Sequence, residues 1–296
     1  MSASTVAAED RRSGLALLLV TALIWGANWP VAKLIVSEMP PLVARGGAGI
    51  GGAALAFLAA GLSGERLRLP ASQVPRLLLL AFLNVTSWIG LSTMALLWLP
   101  ASETAIFAYT MPIWSVAFAW PLLGERPGTA RLGGLALGFV GVAVLIGGRP
   151  ITASLEQWPG ILCVLCAAAF WALGTVLAKR LPLRMPSAVG TAWQILLGTI
   201  PLTVAGLIFE RADGSRVTAL GWAALGYNGV FAFGLAYVTW FAALRRLPAS
   251  TAAVGTLLIP VLGVFSAALL LGEPLGVRQL AALALTLSGI ALATRG

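Results

Sequence analysis

Long apolar stretches separated by short polar connections run through the whole chain. A helix that crosses a bilayer needs about 20 mostly apolar residues. Ten stretches meet that requirement, at approximately 14–36, 41–62, 75–97, 100–122, 130–148, 158–180, 187–209, 218–244, 248–270 and 276–294. The connections carry the charges and turn residues, as in "SGERLRLPASQ", "GERPGTAR" and "KRLPLRMP". The pattern predicts an all-α membrane protein of ten transmembrane helices. The first stretch follows Arg11 and Arg12, as in a signal peptide, but runs on to about Val36. A cleaved signal has a core of only ~7–15 residues, so this stretch is read as a retained first span.

The apolar pattern repeats. Residues 99–146 align without gaps with 247–294, with 19 identities in 48 positions. Both copies begin Leu-Pro-Ala-Ser, and Pro112 pairs with Pro260, Gly124-Glu125 with Gly272-Glu273 and Gly141 with Gly289. Upstream, "ALIWGANWPVAK" (22–33) matches "AAFWALGTVLAK" (168–179), pairing Trp25 with Trp171 and Lys33 with Lys179. Spans one to five therefore recur as spans six to ten. Five is odd, so the second half enters the membrane from the opposite side. The expected organisation is two inverted five-helix repeats, residues 1–148 and 149–296. Inverted repeats are a device of secondary transporters, where exchanging the conformations of the halves exchanges the open side. A duplicated bundle without transport is the alternative.

Composition narrows the class. Of 296 residues 59% are hydrophobic and 10% charged, against about 25% charged in soluble domains. The net charge of +9 does not indicate nucleic acid, because the basic residues are scattered through short loops. With the amino terminus inside, 13 of the 19 Lys and Arg fall on the inner side and 6 on the outer. The positive-inside rule then predicts that both termini are cytoplasmic. There is no histidine, and Cys163 and Cys166 lie within the apolar "ILCVLCAAAF", which reads as core packing and not a metal site. No cofactor or metal is called for. No Walker A sequence, Ser/His/Asp set or paired intramembrane carboxylates appear, so the chain is not read as an enzyme. A lipid-handling enzyme or a scaffold would need a polar cluster at one leaflet or a soluble appendage.

Polar residues within the spans are few, and each is costly unless it faces the bundle interior. Trp25 and Asn28 share a face of span one, as do Asn84, Ser87 and Trp88 in span three. With Tyr109, Trp171, Thr175 and Tyr237 they are the candidate substrate-binding residues. Such surfaces suit a zwitterion with a large apolar side chain; interhelical hydrogen bonding is the competing reading for each residue alone. Pro112 and Pro260 are candidate hinges, since a mid-span proline removes a helix hydrogen bond. Glu103 is the acid placed inside a span and a candidate proton site, although an acid in a first helical turn is also favoured by the helix dipole. Lys33, Lys179 and Arg45 are expected to snorkel. Trp98, Trp158 and Trp222 are expected at the membrane interfaces. Gly47/Gly51 and Gly134/Gly138 fit G-x-x-x-G and predict close helix packing.

The paired halves, "ALIWGANWPVAK" in span one and the Gly-Glu endings of spans four and nine resemble the drug/metabolite transporter superfamily, EamA type. "AYTMPIW" in span four and Trp171 in span six are most similar to the YddG-type aromatic amino-acid exporters. "LNVTSWIG" in span three is less aromatic than that branch. The resemblance implies a bacterial inner-membrane protein exporting neutral and aromatic amino acids through a central cavity. The small residues of spans two, five and ten read as structural packing, which leaves the cavity to spans one, three, four, six, eight and nine. The resemblance implies a small-molecule substrate and the lipid bilayer as partners, with a monomer sufficient. Another metabolite or a drug-like amphiphile is the alternative cargo.

Overall fold

A computed structural model describes residues 3–124, 128–147, 151–211, 217–244, 246–247 and 258–295. The described residues form helices and their connections. The first half contains α1 (Ala3–Glu38), α2 (Pro41–Leu62), α3 (Val74–Ala81), α4 (Ser87–Trp98), α5 (Ala101–Ala108), α6 (Met111–Leu123) and α7 (Thr129–Gly147). The second contains α8 (Ile151–Arg180), α9 (Ser187–Phe209), α10 (Ala219–Tyr227), α11 (Ala236–Leu244), α12 (Leu258–Leu271) and α13 (Val277–Arg295). A π-helical segment, Phe82–Thr86, joins α3 to α4, and another, Asn228–Leu235, joins α10 to α11. Seven segments are long and apolar enough to cross a membrane, namely Arg12–Glu38, Pro41–Leu62, Ala71–Trp98, Ala101–Leu123, Leu155–Arg180, Ala188–Phe209 and Ala219–Trp240. Shorter apolar stretches lie at Leu132–Gly141 in α7 and Leu258–Leu271 in α12. The start of the predicted ninth span, 248–257, lies outside the described residues.

Helix pairing is reciprocal between the halves. α1 packs on α12 and α11, while its counterpart α8 packs on α6 and α4. The pairs α2·α9 and α7·α13 join equivalent spans of the two halves. Glycines let these pairs close. A Cβ on Gly46 would lie 2.4 Å from Thr203 Oγ1, one on Gly49 2.3 Å from Thr199 Cγ2, and one on Gly289 2.7 Å from the Gly134 carbonyl. The expectation for Gly47 and Gly51 is corrected, because both face open space. The buried face of α2 runs through 45, 46, 49, 52, 53 and 56, a helical repeat that leaves 47 and 51 outside it. Gly52→Ala drives a methyl to 2.1 Å from Phe233 Cβ and should destabilise the protein by roughly 1–3 kcal/mol. Gly51→Ala should be neutral or mildly stabilising. Denaturant unfolding of the two purified variants measures the difference.

The prolines differ in what they do to the helices. Pro30 lies inside α1 and cannot donate to Gly26, whose carbonyl accepts from Ser266 Oγ at 3.3 Å. Pro112 produces a break, not a bend. α5 stops at Ala108, Tyr109 and Thr110 turn the chain, and Pro112 falls in the first turn of α6, where a missing N–H leaves no gap in the ladder. Pro260 is buried near the described start of α12.

One end of the bundle is tied by carboxylates. The first amides of a helix have no intrahelical acceptor, and the dipole favours an anion there. Glu38, ending α1, accepts from Thr218 N at 3.0 Å and Thr218 Oγ1 at 2.8 Å, ahead of α10. Glu210, following α9, accepts from Leu42 N at 2.9 Å and Val43 N at 3.0 Å in α2. Glu273, following α12, accepts from Ala101 N at 2.7 Å, Ser102 N at 2.9 Å and Ser102 Oγ at 2.5 Å in α5. Each carboxylate joins one half of the chain to the other. Beneath them lies an apolar cluster that includes Val36, Leu96, Leu99, Phe107, Ile161 and Val264, so this end is sealed. At the opposite end the described ties between segments are neutral acceptors, such as Gln73 Oε1 for Arg184 N and the Leu67 carbonyl for Trp193 Nε1.

Candidate functional site

α1 contributes to two aromatic groups. In the first, Trp25 meets Tyr237 edge-on at 5.3 Å between ring centroids, and Trp240 at 5.9 Å. Its indole N–H donates to the Ala232 carbonyl at 3.1 Å, within the second π-helical segment. In the second, Trp29 meets Trp88 at 6.3 Å, and Trp88 meets Trp171 at 5.3 Å. Trp29 follows Trp25 by one helical turn, so the two groups sit at successive levels along α1. Pairs of this geometry contribute about 0.5–1.5 kcal/mol each beyond their buried area.

An amide pair lies on the same helix. Asn228 Nδ2 donates to Asn28 Oδ1 at 2.6 Å, and Asn228 is fully buried. The corresponding place in the other half is built differently. Asn84, in the first π-helical segment, packs against Gly174, where a Cβ would meet its Oδ1 at 1.9 Å. Gly174 stands where Asn28 stands in the first half, in the alignment of 22–33 with 168–179. One half thus pairs two amides, although Asn228 Oδ1 itself is buried without a hydrogen-bond partner, and the other half leaves Asn84 Oδ1 buried without one. A buried amide oxygen left unpaired costs about 1–3 kcal/mol.

The predicted residues are distributed as follows. Trp25, Asn28 and Tyr237 meet in the first group, and Trp88 and Trp171 in the second. Tyr109, at the break between α5 and α6, packs with Trp88 on the apolar cluster of the sealed end. Ser87 is buried next to Trp88 in the chain. Thr175 is exposed and donates its hydroxyl to the Trp171 carbonyl at 2.9 Å. Glu103 is buried, and its Oε1 accepts from Arg278 at 3.1 Å, tying α5 to α13. Trp98, Trp158 and Trp222 are exposed, as interface residues should be.

Three expectations are corrected. Lys33 does not snorkel; its ammonium turns inward and donates to the carbonyls of Leu96 and Leu99, the unsatisfied end of α4. Arg45 does not snorkel either; it is 6% exposed and donates from Nε to Thr93 Oγ1 at 3.3 Å. In both cases an acceptor on a neighbouring helix lies within reach of the side chain. Cys163 packs against the core, but Cys166 is exposed on α8. Trp29, Tyr227, Asn228 and Trp240 were not among the predicted binding residues. Trp29 was detectable, since it lies four residues from Trp25.

A helical membrane protein with two matching halves, a carboxylate-tied end and aromatic and amide groups between the halves is the frame of a membrane transporter. The model of the EamA-like transporter family matches residues 12–147 and again 158–295, and the chain belongs to that family. An uncharacterized transporter, YvbV, of Bacillus subtilis is 32% identical over 280 residues, covering 93% of this chain and 90% of the relative. A protein of Salmonella typhimurium described as a probable amino-acid metabolite efflux pump is 30% identical over 299 residues, covering 95% and 94%. A solved crystal structure shares the fold with a TM-score of 0.69 at 24% identity, covering 96% of this chain and 97% of that one.

Proposed function

We propose that this transporter exports neutral amino acids, aromatic ones included, across the bacterial inner membrane by alternating access. In this reading ten spans form two inverted halves with both termini in the cytoplasm, and the sealed end faces outward. The observation that carries the proposal is the pair of aromatic groups that α1 joins through Trp25 and Trp29, with the Asn28–Asn228 amide pair on the same helix. Rings receive an apolar side chain, and amides hydrogen-bond a polar backbone. The likeness to a probable amino-acid metabolite efflux pump supports the same cargo. Trp25, Asn28, Asn84, Ser87, Trp88, Tyr109, Trp171 and Tyr237 are the proposed lining. Thr175 joins them in an open state, and Pro112 and Pro260 serve as hinges. Glu103 is proposed as a tie to Arg278, since its carboxylate is engaged by that guanidinium.

Counterflow in liposomes tests this. Vesicles holding the purified protein and unlabelled phenylalanine should accumulate external labelled phenylalanine, equally with and without a pH gradient. Absence of accumulation, beside an active control transporter, would move the cargo to another amphipathic metabolite. Accumulation that requires the gradient would restore Glu103 as a proton site.

A further inference from the structure

Arg45 carries a charge that no described residue neutralises. It lies in the second turn of α2, 6% exposed, beneath the sealed end. Its Nε is fixed by Thr93 Oγ1 at 3.3 Å, and Thr93 is itself fully buried. The guanidinium carbon lies 5.8 Å from the centre of the Phe233 ring. Nη1 is buried and has no hydrogen-bond acceptor. Glu210, which follows α9, reaches α2 near Arg45 in the chain, but its oxygens are directed to the amides of Leu42 and Val43. No carboxylate contacts Arg45 among the described residues.

A buried cation without an anion is strongly unfavourable, and one kept in a membrane span marks a ligand path. Thr93 and Phe233 orient the guanidinium from two sides, leaving its remaining donors for a planar, two-oxygen acceptor. A lipid phosphate does not fit, because the side chain is enclosed by protein. The position does fit a transported solute. Phe233 belongs to the apolar cluster against which Trp88 and Tyr237 pack, so the guanidinium adjoins a cluster shared by both aromatic groups. We propose that Arg45 binds the carboxylate of the solute, making the transporter selective for amphiphiles that carry an acid group. The inference deepens the amino-acid reading and rests on it for the identity of the solute, while the anion site can be tested by itself.

The test is ligand-dependent thermal unfolding of the full chain in detergent. Phenylalanine and 3-phenylpropionate should raise the unfolding temperature, and phenylalaninamide, which lacks the acid, should not. In Arg45→Gln the half-saturating concentration of either acid should rise at least tenfold, with Arg45→Lys intermediate because the charge remains and the fork is lost. Arg278→Gln should keep the wild-type response. An equal response of the wild type to acid and amide overturns the proposal, as does an unchanged response in Arg45→Gln. Should Arg45→Gln fail to fold, the acid–amide comparison in the wild type and Arg45→Lys decide the matter. Arg45-dependent acid binding without amino-acid counterflow would leave the anion site standing and remove amino acids as cargo. Counterflow with no preference for acid over amide would do the reverse.

Discussion

Glu273→Ala should open the sealed end of the transporter. The side chain accepts three hydrogen bonds from Ala101 and Ser102, and these exist only while α12 and α5 are held together. A bond to a charged group contributes about 1.5–3 kcal/mol. Losing even the equivalent of 3 kcal/mol from one of two states changes their ratio roughly 150-fold. The measurement is labelling by a membrane-impermeant maleimide of a single cysteine at Ala105, which is fully buried below the tie, in a background lacking Cys163 and Cys166. Labelling should be slow with Glu273 present and at least tenfold faster in Glu273→Ala. Glu273→Gln, which keeps an acceptor and loses the charge, should fall between. Equal rates in all three would show that this carboxylate does not hold the end closed.

The second large effect is expected at Trp88. Its ring touches Trp29 on one side and Trp171 on the other, so truncation disconnects both. With about 0.5–1.5 kcal/mol per ring pair in addition to lost contact area, Trp88→Ala should raise the apparent KM for phenylalanine counterflow at least tenfold. Trp88→Phe, which retains a ring, should stay within about threefold. Size-exclusion behaviour establishes that each variant is folded. A folded Trp88→Ala with unchanged KM would exclude Trp88 from the substrate path.

The sequence reveals some of this directly, because apolar length and internal repetition are written in residue order. The helix limits at Pro41–Leu62 and Ser187–Phe209 coincide with the predicted spans, since proline and polar residues bound them. Trp25, Asn28, Trp88 and Trp171 are legible as unusual residues on apolar faces. What is not legible depends on which helix lies alongside. Lys33 and Arg45 look like residues that reach for the boundary until the carbonyls of α4 and the hydroxyl of Thr93 appear next to them. The carboxylate ties are hidden for the same reason. Glu38, Glu210 and Glu273 each end a helix in sequence, and their roles are set by the starts of helices far away in the chain.

The second π-helical segment explains one more omission. Asn228 and Tyr237 are nine residues apart, which on a continuous helix of 3.6 residues per turn puts them about 180° apart. Between them the chain winds more loosely over Asn228–Leu235, with i→i+5 in place of i→i+4 hydrogen bonds. The slower winding turns Tyr237 back toward the face that carries Asn228. Their partners on α1, Trp25 and Asn28, are about 60° apart, and Tyr237 and Asn228 respectively contact them. The wide turns act as a phase correction between two helices whose partners would otherwise point away from each other. Converting this segment to regular α-helix would leave every residue in place in the sequence and still separate one of the two pairs.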